Sequence, residues 1–225
     1  MSIEVCAFDA YGTLLDVTAA ARRAMANIDP QRGLALAYDW RLKQLQYTWI
    51  RAIAGAHADF WKVTSDSLDW ALERQGLDGN PELRTHLMDL YAELDAFPEV
   101  AGMLRILKGA NMNTAILSNG SPDMLRSATR AAGIEDSLDA ILSVEEVGVY
   151  KPDDRVYGLV ENHFGCSKSQ VLFVSSNGWD AAAAAGYGFV SVWVNRLGEP
   201  IDRLPWRPRH ELAELSQIPE LLASQ

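Results

Sequence analysis

A chain of 225 residues is long enough for one or two domains with a full-sized core. It carries 20 Lys and Arg against 30 Asp and Glu; the formal net charge of −10 argues against a nucleic-acid or anionic-membrane partner, though a few local cations would still suffice for a small anionic ligand. The two cysteines, Cys6 and Cys166, make no disulfide framework or metal site. There is also no basic leader and no run near about 18 apolar residues, so a reduced, cytoplasmic protein is expected.

The first apolar strand, 3–8, contains Cys6 as a small hydrophobe and runs into Asp9 and a turn with Gly12 and Thr13. From about 16 to 95 the signals are helical throughout. The stretch 34–54 is long and amphipathic, with Tyr38, Leu42, Leu45, Trp49 and Ile53 near helical spacing. Helices 64–75 and 81–94 follow, and Asn80 caps the latter. A helix over 99–108 buries Val100, Met103, Leu104 and Leu107 ahead of a strand at 113–117. Ser121 then caps a helix with Pro122 at its first position, and Gly133 closes it. A strand at 140–144 comes next, and Pro152 opens a helix carrying Val156, Val160 and Phe164. Strand 171–174, a helix start in the alanine run 181–185 and strand 190–194 complete the pattern.

Strands alternating with helices predict an α/β fold: a Rossmann-like parallel sheet with helices on both faces. The helical stretch interrupts it as an insertion of roughly 80 residues. The expected division is a core of 1–15 and 96–225 and a helical domain of 16–95, with hinges near 15–18 and 97–98.

In open parallel sheets ligands bind at the carboxyl ends of the strands. Asp9 follows the first strand, Ser118 and Asn119 the second, Lys151 the third, and Ser175, Asn177 and Asp180 the fourth. A turn former or helix cap explains any one of these; four strand ends in turn point to a site. The four segments, Asp9-Ala10-Tyr11-Gly12-Thr13, Ser118-Asn119, Lys151-Pro152 and Ser175-Ser176-Asn177 through Asp180, resemble the signature motifs of the haloacid dehalogenase superfamily of hydrolases. The stretches "FDAYGTLLDV", "WRLKQLQYTW" and "LFVSSNGWDA" carry a narrower resemblance to the L-2-haloacid dehalogenases. That resemblance covers nearly the whole chain and implies that the helical insertion is a cap domain.

Position 11 bears on the reaction. Most members of the superfamily are phosphatases whose second acid, two residues after the first, protonates the leaving oxygen. Here that residue is Tyr11. Asp180 stands without an adjacent acid, and Asn177 is neutral, which weakens a Mg²⁺ site, since a hard dication wants several oxygen ligands. A halide leaving group needs no proton. The expected chemistry is attack by Asp9 on C2 of a short L-2-haloalkanoate, an aspartyl ester, and attack of water on the ester carbonyl. One inversion turns an (S)-2-haloacid into an (R)-2-hydroxyacid. No cofactor and no metal are expected. A Mg²⁺-dependent small-molecule phosphatase and a small-anion-binding protein without turnover are the alternatives.

Lys151 is expected to pair with Asp9, and Thr13, Ser175 and Asn177 to orient Asp9, its ester and Asp180. Asp180 is the candidate for activating water, directly or through Lys151; Tyr157 either donates to that pair or simply packs. Ser118, with backbone N–H groups near Ala10, Tyr11 and Asn119, is the candidate carboxylate site. The resemblance implies that Arg41 and Asn119 receive the halide, while Tyr11, Leu45, Phe60 and Trp179 wall the pocket. Leu42 departs from the glutamine common after this arginine, which bears on pocket polarity. No role falls to His57, His86, His163 or His210, which are expected on the surface or on helix faces. The resemblance also implies a homodimer.

Overall fold

The structure, a computed structural model, describes residues 2–26 and 29–224. In chain order the elements are β1 (Val5–Phe8), α1 (Ala19–Met25), α2 (Pro30–Ala54), α3 (Phe60–Gln75), α4 (Pro81–Ala92), α5 (Val100–Gly109) and β2 (Asn113–Ser118). They continue as α6 (Pro122–Ala131), β3 (Ala140–Ser143), α7 (Asp154–Phe164), β4 (Val171–Ser175), α8 (Gly178–Tyr187), β5 (Val190–Val194), β6 (His210–Leu212) and α9 (Ile218–Ala223).

The strands form one parallel sheet in the order β3-β2-β1-β4-β5-β6. All four residues of β1 and all five of β4 are buried, as strands covered on both faces require. Chain order reverses direction at β1, between β2 and β4, which makes its carboxyl end the crevice where such sheets bind ligands. Phe8 is in register with Ile116 on one side and Val174 on the other, so Asp9 emerges level with Ser175.

Helices α1–α4 lie between β1 and α5. Their starts are read from the caps: Asp29 accepts from the Arg32 N–H at 3.1 Å, Asp59 from Lys62 at 2.8 Å and Asn80 from Leu83 at 2.9 Å. Leu36, Trp40, Phe60, Val63, Leu68, Leu87 and Tyr91 fill the space among them. The chain enters and leaves this region side by side: Leu15 bridges Ala96 in antiparallel fashion, Asp16 N–H donates to Asp95 O at 2.9 Å, and Phe97 N–H to Leu14 O at 2.9 Å.

Several expectations need correcting. On α2 the core face is Gly33, Leu36, Ala37, Asp39, Trp40, Gln44 and Thr48. Of the expected stripe, Tyr38 and Ile53 are exposed, and Leu42, Leu45 and Trp49 are half-buried. The helix carries apolar residues on two faces, and its core face includes polar ones. Pro152 does not open α7; the Asp153 carboxylate accepts from Arg155 N–H at 3.0 Å and sets the start at Asp154. Ser121 holds the N-cap position of α6, but its side chain makes no capping bond. Neither β6 nor α9 was expected; β6 has three residues, only one of them aliphatic, too few for a periodic signal.

Candidate active site

Asp9 lies just past the end of β1 with 6% of its surface exposed. Its Oδ2 accepts from Thr13 Oγ1 at 2.9 Å and from Asn177 Nδ2 at 2.9 Å, with Ser175 Oγ at 3.5 Å. Its Oδ1 faces the Lys151 ammonium at 3.2 Å. Thr13 reaches back to Asp9 because the chain turns tightly: the Ala10 carbonyl accepts from the N–H groups of Thr13, Leu14 and Leu15, and Gly12 takes φ +90°, a conformation that side chains disfavour. Thr13 Oγ1 in turn accepts from Ser176 N–H at 2.8 Å and Ser175 Oγ from Asn177 N–H at 3.1 Å, which locks the loop after β4 onto the loop after β1.

Behind Asp9, Lys151 Nζ bridges to Asp180 Oδ2 at 2.9 Å, and Tyr157 donates to Asp180 Oδ1 at 2.7 Å. Lys151 is 1% exposed, and Asp180 and Tyr157 are fully buried. Burial works to lower the Lys151 ammonium, but Asp180 and Asp9 outweigh it and hold the group above its ordinary value. Burial pushes the Asp180 carboxyl up and Lys151 pulls it back, leaving it raised. Burial and Asp180 push the Tyr157 hydroxyl up, so it stays a donor.

Ser118 and Asn119 end β2. The Ser118 hydroxyl accepts from Gly120 N–H at 3.1 Å, and Asn119 Oδ1 accepts from Lys151 N–H at 3.1 Å. From α2, Arg41 Nη2 donates to the Tyr11 carbonyl at 3.0 Å and to Asn177 Oδ1 at 3.2 Å, and Nη1 to Gln44 Oε1 at 2.8 Å. The Tyr11 ring sits 5.5 Å from both Phe60 and Tyr91, and Trp179 meets Trp49 edge-on at 5.4 Å. The Tyr11 hydroxyl and Trp179 Nε1 are buried without a hydrogen-bond partner, and burial pushes the Tyr11 hydroxyl well up.

These groups surround one small cavity of about 10 Å³, lined by Asp9, Tyr11, Arg41, Leu45, Phe60, Ser118, Asn119, Lys151, Asn177 and Trp179. It holds a single water at most, so a carboxylic acid of several heavy atoms enters only if side chains move. Arg41 and Asn177 also line a larger neighbouring cavity of about 380 Å³, together with Arg22 and Arg196.

Thr13, Ser175, Asp180 and Tyr157, expected at the site, stand directly behind that cavity, and Ala10 forms the turn beneath it. Sequence reasoning missed Gln44, Thr64 and Tyr91, which extend the Arg41 contacts into the helical region. The signal available was a glutamine on the core-facing stripe of α2, because a buried amide must find partners. The expectation for the histidines holds for His86 and His163, which are exposed on helices. His57 is instead half-buried, 3.0 Å from Glu145 and beside the Tyr150 ring, and His210 lies half-buried on β6.

The family model for haloacid dehalogenase-like hydrolases matches residues 3–188. The chain is 45% identical over 222 residues to (S)-2-haloacid dehalogenase 1 of Pseudomonas sp. (strain CBS-3), covering 98% of this chain and 96% of that one. A crystal structure of a dehalogenase superposes with a TM-score of 0.95 at 39% identity over 100% of this chain and 99% of the other. L-2-haloacid dehalogenase from Xanthobacter autotrophicus, solved with chloropropionic acid covalently bound, superposes with a TM-score of 0.91 at 34% identity over 99% of each chain. Family model, relatives and fold agree with the four strand-end motifs: the chain belongs to the haloacid dehalogenase-like hydrolases.

Proposed function

We propose that this protein hydrolyses short (S)-2-haloacids to (R)-2-hydroxyacids and halide through a covalent aspartyl ester on Asp9. The observation that carries the reading is the pairing of Asp9 with Lys151, Thr13 and Asn177 while a tyrosine, not an acid, stands at position 11. Asp9 is thus equipped as a nucleophile, with no second carboxyl two residues on to protonate the leaving oxygen of a phosphate ester. The relatives of known activity act on haloacids, which disfavours the phosphatase alternative.

In the first step a carboxylate oxygen of Asp9 attacks C2 from the side opposite the halogen. The C–O bond forms as the carbon–halogen bond breaks, and the electron pair leaves with the halide. Ser118 and the backbone N–H groups near Ala10, Tyr11 and Asn119 hold the substrate carboxylate; Arg41 and Asn119 receive the halide. Charge-assisted hydrogen bonds of this kind contribute roughly 1.5–3 kcal/mol each and strengthen as the halide gains charge. Leu45, Phe60 and Trp179 exclude water from the alkyl group. In the second step water attacks the Asp9 ester carbonyl and passes a proton to Asp180, which Lys151 and Tyr157 orient. Collapse of the tetrahedral species breaks the bond to the ester oxygen, which takes the proton back from Asp180 as the hydroxyacid leaves, and Asp9 returns to its carboxylate by releasing a proton to water.

The reaction is metal-independent in this reading. The Lys151 ammonium lies between the two carboxylates, where a dication would have to bind, and the described residues contain no group of three or more His, Cys, Asp or Glu able to hold one. Residues 1–15 and 96–225 act as the core and 16–95 as a cap that moves to admit substrate. A cytoplasmic location fits two free cysteines, and no helix among the described residues is long and apolar enough to cross a membrane. A homodimer fits the exposed apolar stripe of α2.

Chloride release from L-2-chloropropionate should survive EDTA, and its loss would remove the metal-free mechanism. In a single turnover in ¹⁸O-water the hydroxyacid should be unlabelled, its new oxygen coming from Asp9. Label in the first product would remove Asp9 as nucleophile, as would retained turnover by a folded Asp9→Asn variant.

A further inference from the structure

We infer that Gln44 is a positioning residue for Arg41, setting its guanidinium over the nucleophile loop through a buried hydrogen-bond relay anchored on α3. The inference rests on reading Arg41 as the halide acceptor.

Gln44 lies one turn beyond Arg41 on the core face of α2 and is 1% exposed. Its Oε1 accepts from Arg41 Nη1 at 2.8 Å and lies 3.3 Å from the Tyr91 hydroxyl. Its Nε2 donates to Thr64 Oγ1 at 2.8 Å and to the Tyr91 hydroxyl at 3.0 Å. Thr64 decides which way the amide faces. Its one hydroxyl proton goes to the Phe60 carbonyl at 2.7 Å, so toward Gln44 it can only accept. The NH₂ group must therefore face Thr64 and the carbonyl must face Arg41. The reverse orientation would set donor against donor at the guanidinium and leave Thr64 opposite a carbonyl it cannot serve.

Arg41 also hydrogen-bonds the loops after β1 and β4, at the Tyr11 carbonyl and Asn177 Oδ1. A long arginine side chain has many rotamers to lose. Gln44 adds a third contact, from the helix that carries Arg41, and is itself held by Thr64 and Tyr91. A neutral amide does this without withdrawing charge. A carboxylate at the same place would pair with Arg41 and compete with the halide. An apolar residue would take the partner from a guanidinium N–H and from the buried Tyr91 hydroxyl. Leu42, directly after Arg41, offers no polar group, which leaves the orientation to Gln44.

The test is pre-steady-state halide release from L-2-chloro- and L-2-bromopropionate. Chloride, the poorer leaving group, depends more on Arg41. Gln44→Met should slow chloride release about tenfold and bromide release about threefold, with KM little changed, since small misplacements of a reacting group are this costly. Gln44→Glu, which keeps the shape, should also raise the bromide-to-chloride ratio. In an Arg41→Ala background Gln44→Met should add nothing, because coupled residues are not additive. Thr64→Val should act in the same direction more weakly, and it carries the test if Gln44→Met does not fold. Equal slowing of both halides, or full additivity with Arg41→Ala, would make Gln44 merely structural and overturn the inference. If Arg41→Ala itself leaves the halide ratio unchanged, the halide-acceptor reading fails, and the role of Gln44 falls with it.

Discussion

In the proposed ester hydrolysis Asp180 carries two demands that pull against each other. As the proposed base it must be ionised to take a proton from water, yet burial pushes its carboxyl above the ordinary 3.8, with Lys151 and the Tyr157 hydroxyl pulling it back. A carboxyl raised in the folded state binds more protons there than in the unfolded chain. Its contribution to stability is therefore full below the ordinary value and is lost as pH rises through the folded one. Activity has the opposite slope, rising through that same window as the base appears. Tyr157→Phe removes a donor to the carboxylate, so it should move the acid limb of ester hydrolysis to higher pH while leaving the rate of halide release in the first turnover nearly unchanged. The pH profile of steady-state kcat, set beside a halide burst, checks this; an unmoved acid limb would reduce Tyr157 to a packed ring.

At the scale of elements, two turns must approach each other for the site to close. A Cβ on Gly120, after β2, would lie 2.7 Å from Cε2 of Tyr11 and 3.0 Å from Leu125 Cδ2. The Tyr11 ring has nowhere to retreat, held as it is near Phe60 and Tyr91. Gly120→Ala should cost about 1–3 kcal/mol of stability through overpacking, and kcat/KM should fall by roughly tenfold or more as the Tyr11 turn shifts. Thermal melts and steady-state kinetics measure the two effects, and an alanine accepted without loss in either would show that the turns have slack. This close approach was invisible in the sequence, where Gly120 reads as an ordinary turn residue. Asp9 was legible because it directly follows an apolar strand, where a charge has little reason to be unless it is used, and Lys151 and Asp180 because they stand in the segments that follow β3 and β4. The periodicity of α2 points to the wrong face for a physical reason: a helix with apolar residues on two faces offers two stripes, and its true core face includes Asp39, Gln44 and Thr48. Start and stop signals were less reliable than element types, because Asp153 captured the α7 start from Pro152 by bonding a backbone N–H.

For the molecule as a whole, the face of α2 turned away from the core remains unexplained by the monomer. Leu34 is 60% exposed, Tyr38 68%, Ile50 61% and Ile53 89%, and together they run most of the length of a 25-residue helix. Such a helix is about 37 Å long, and large apolar residues strung along one side of it are a recognisable interaction surface. A second copy related by a two-fold axis would set the same stripe against itself, which is how most dimers of identical chains are built. Helix α2 also carries Arg41, one turn from Tyr38, so pairing through it would stiffen the element that brings the guanidinium to the site. Replacing Tyr38 and Ile53 together by glutamate places like charges across a symmetric contact. Sedimentation should then shift from dimer to monomer at micromolar concentration. Turnover should fall only modestly, because neither side chain touches the cavity. A wild-type protein that sediments as a monomer, or a double variant that stays dimeric, would place the interface elsewhere and leave the stripe unaccounted for.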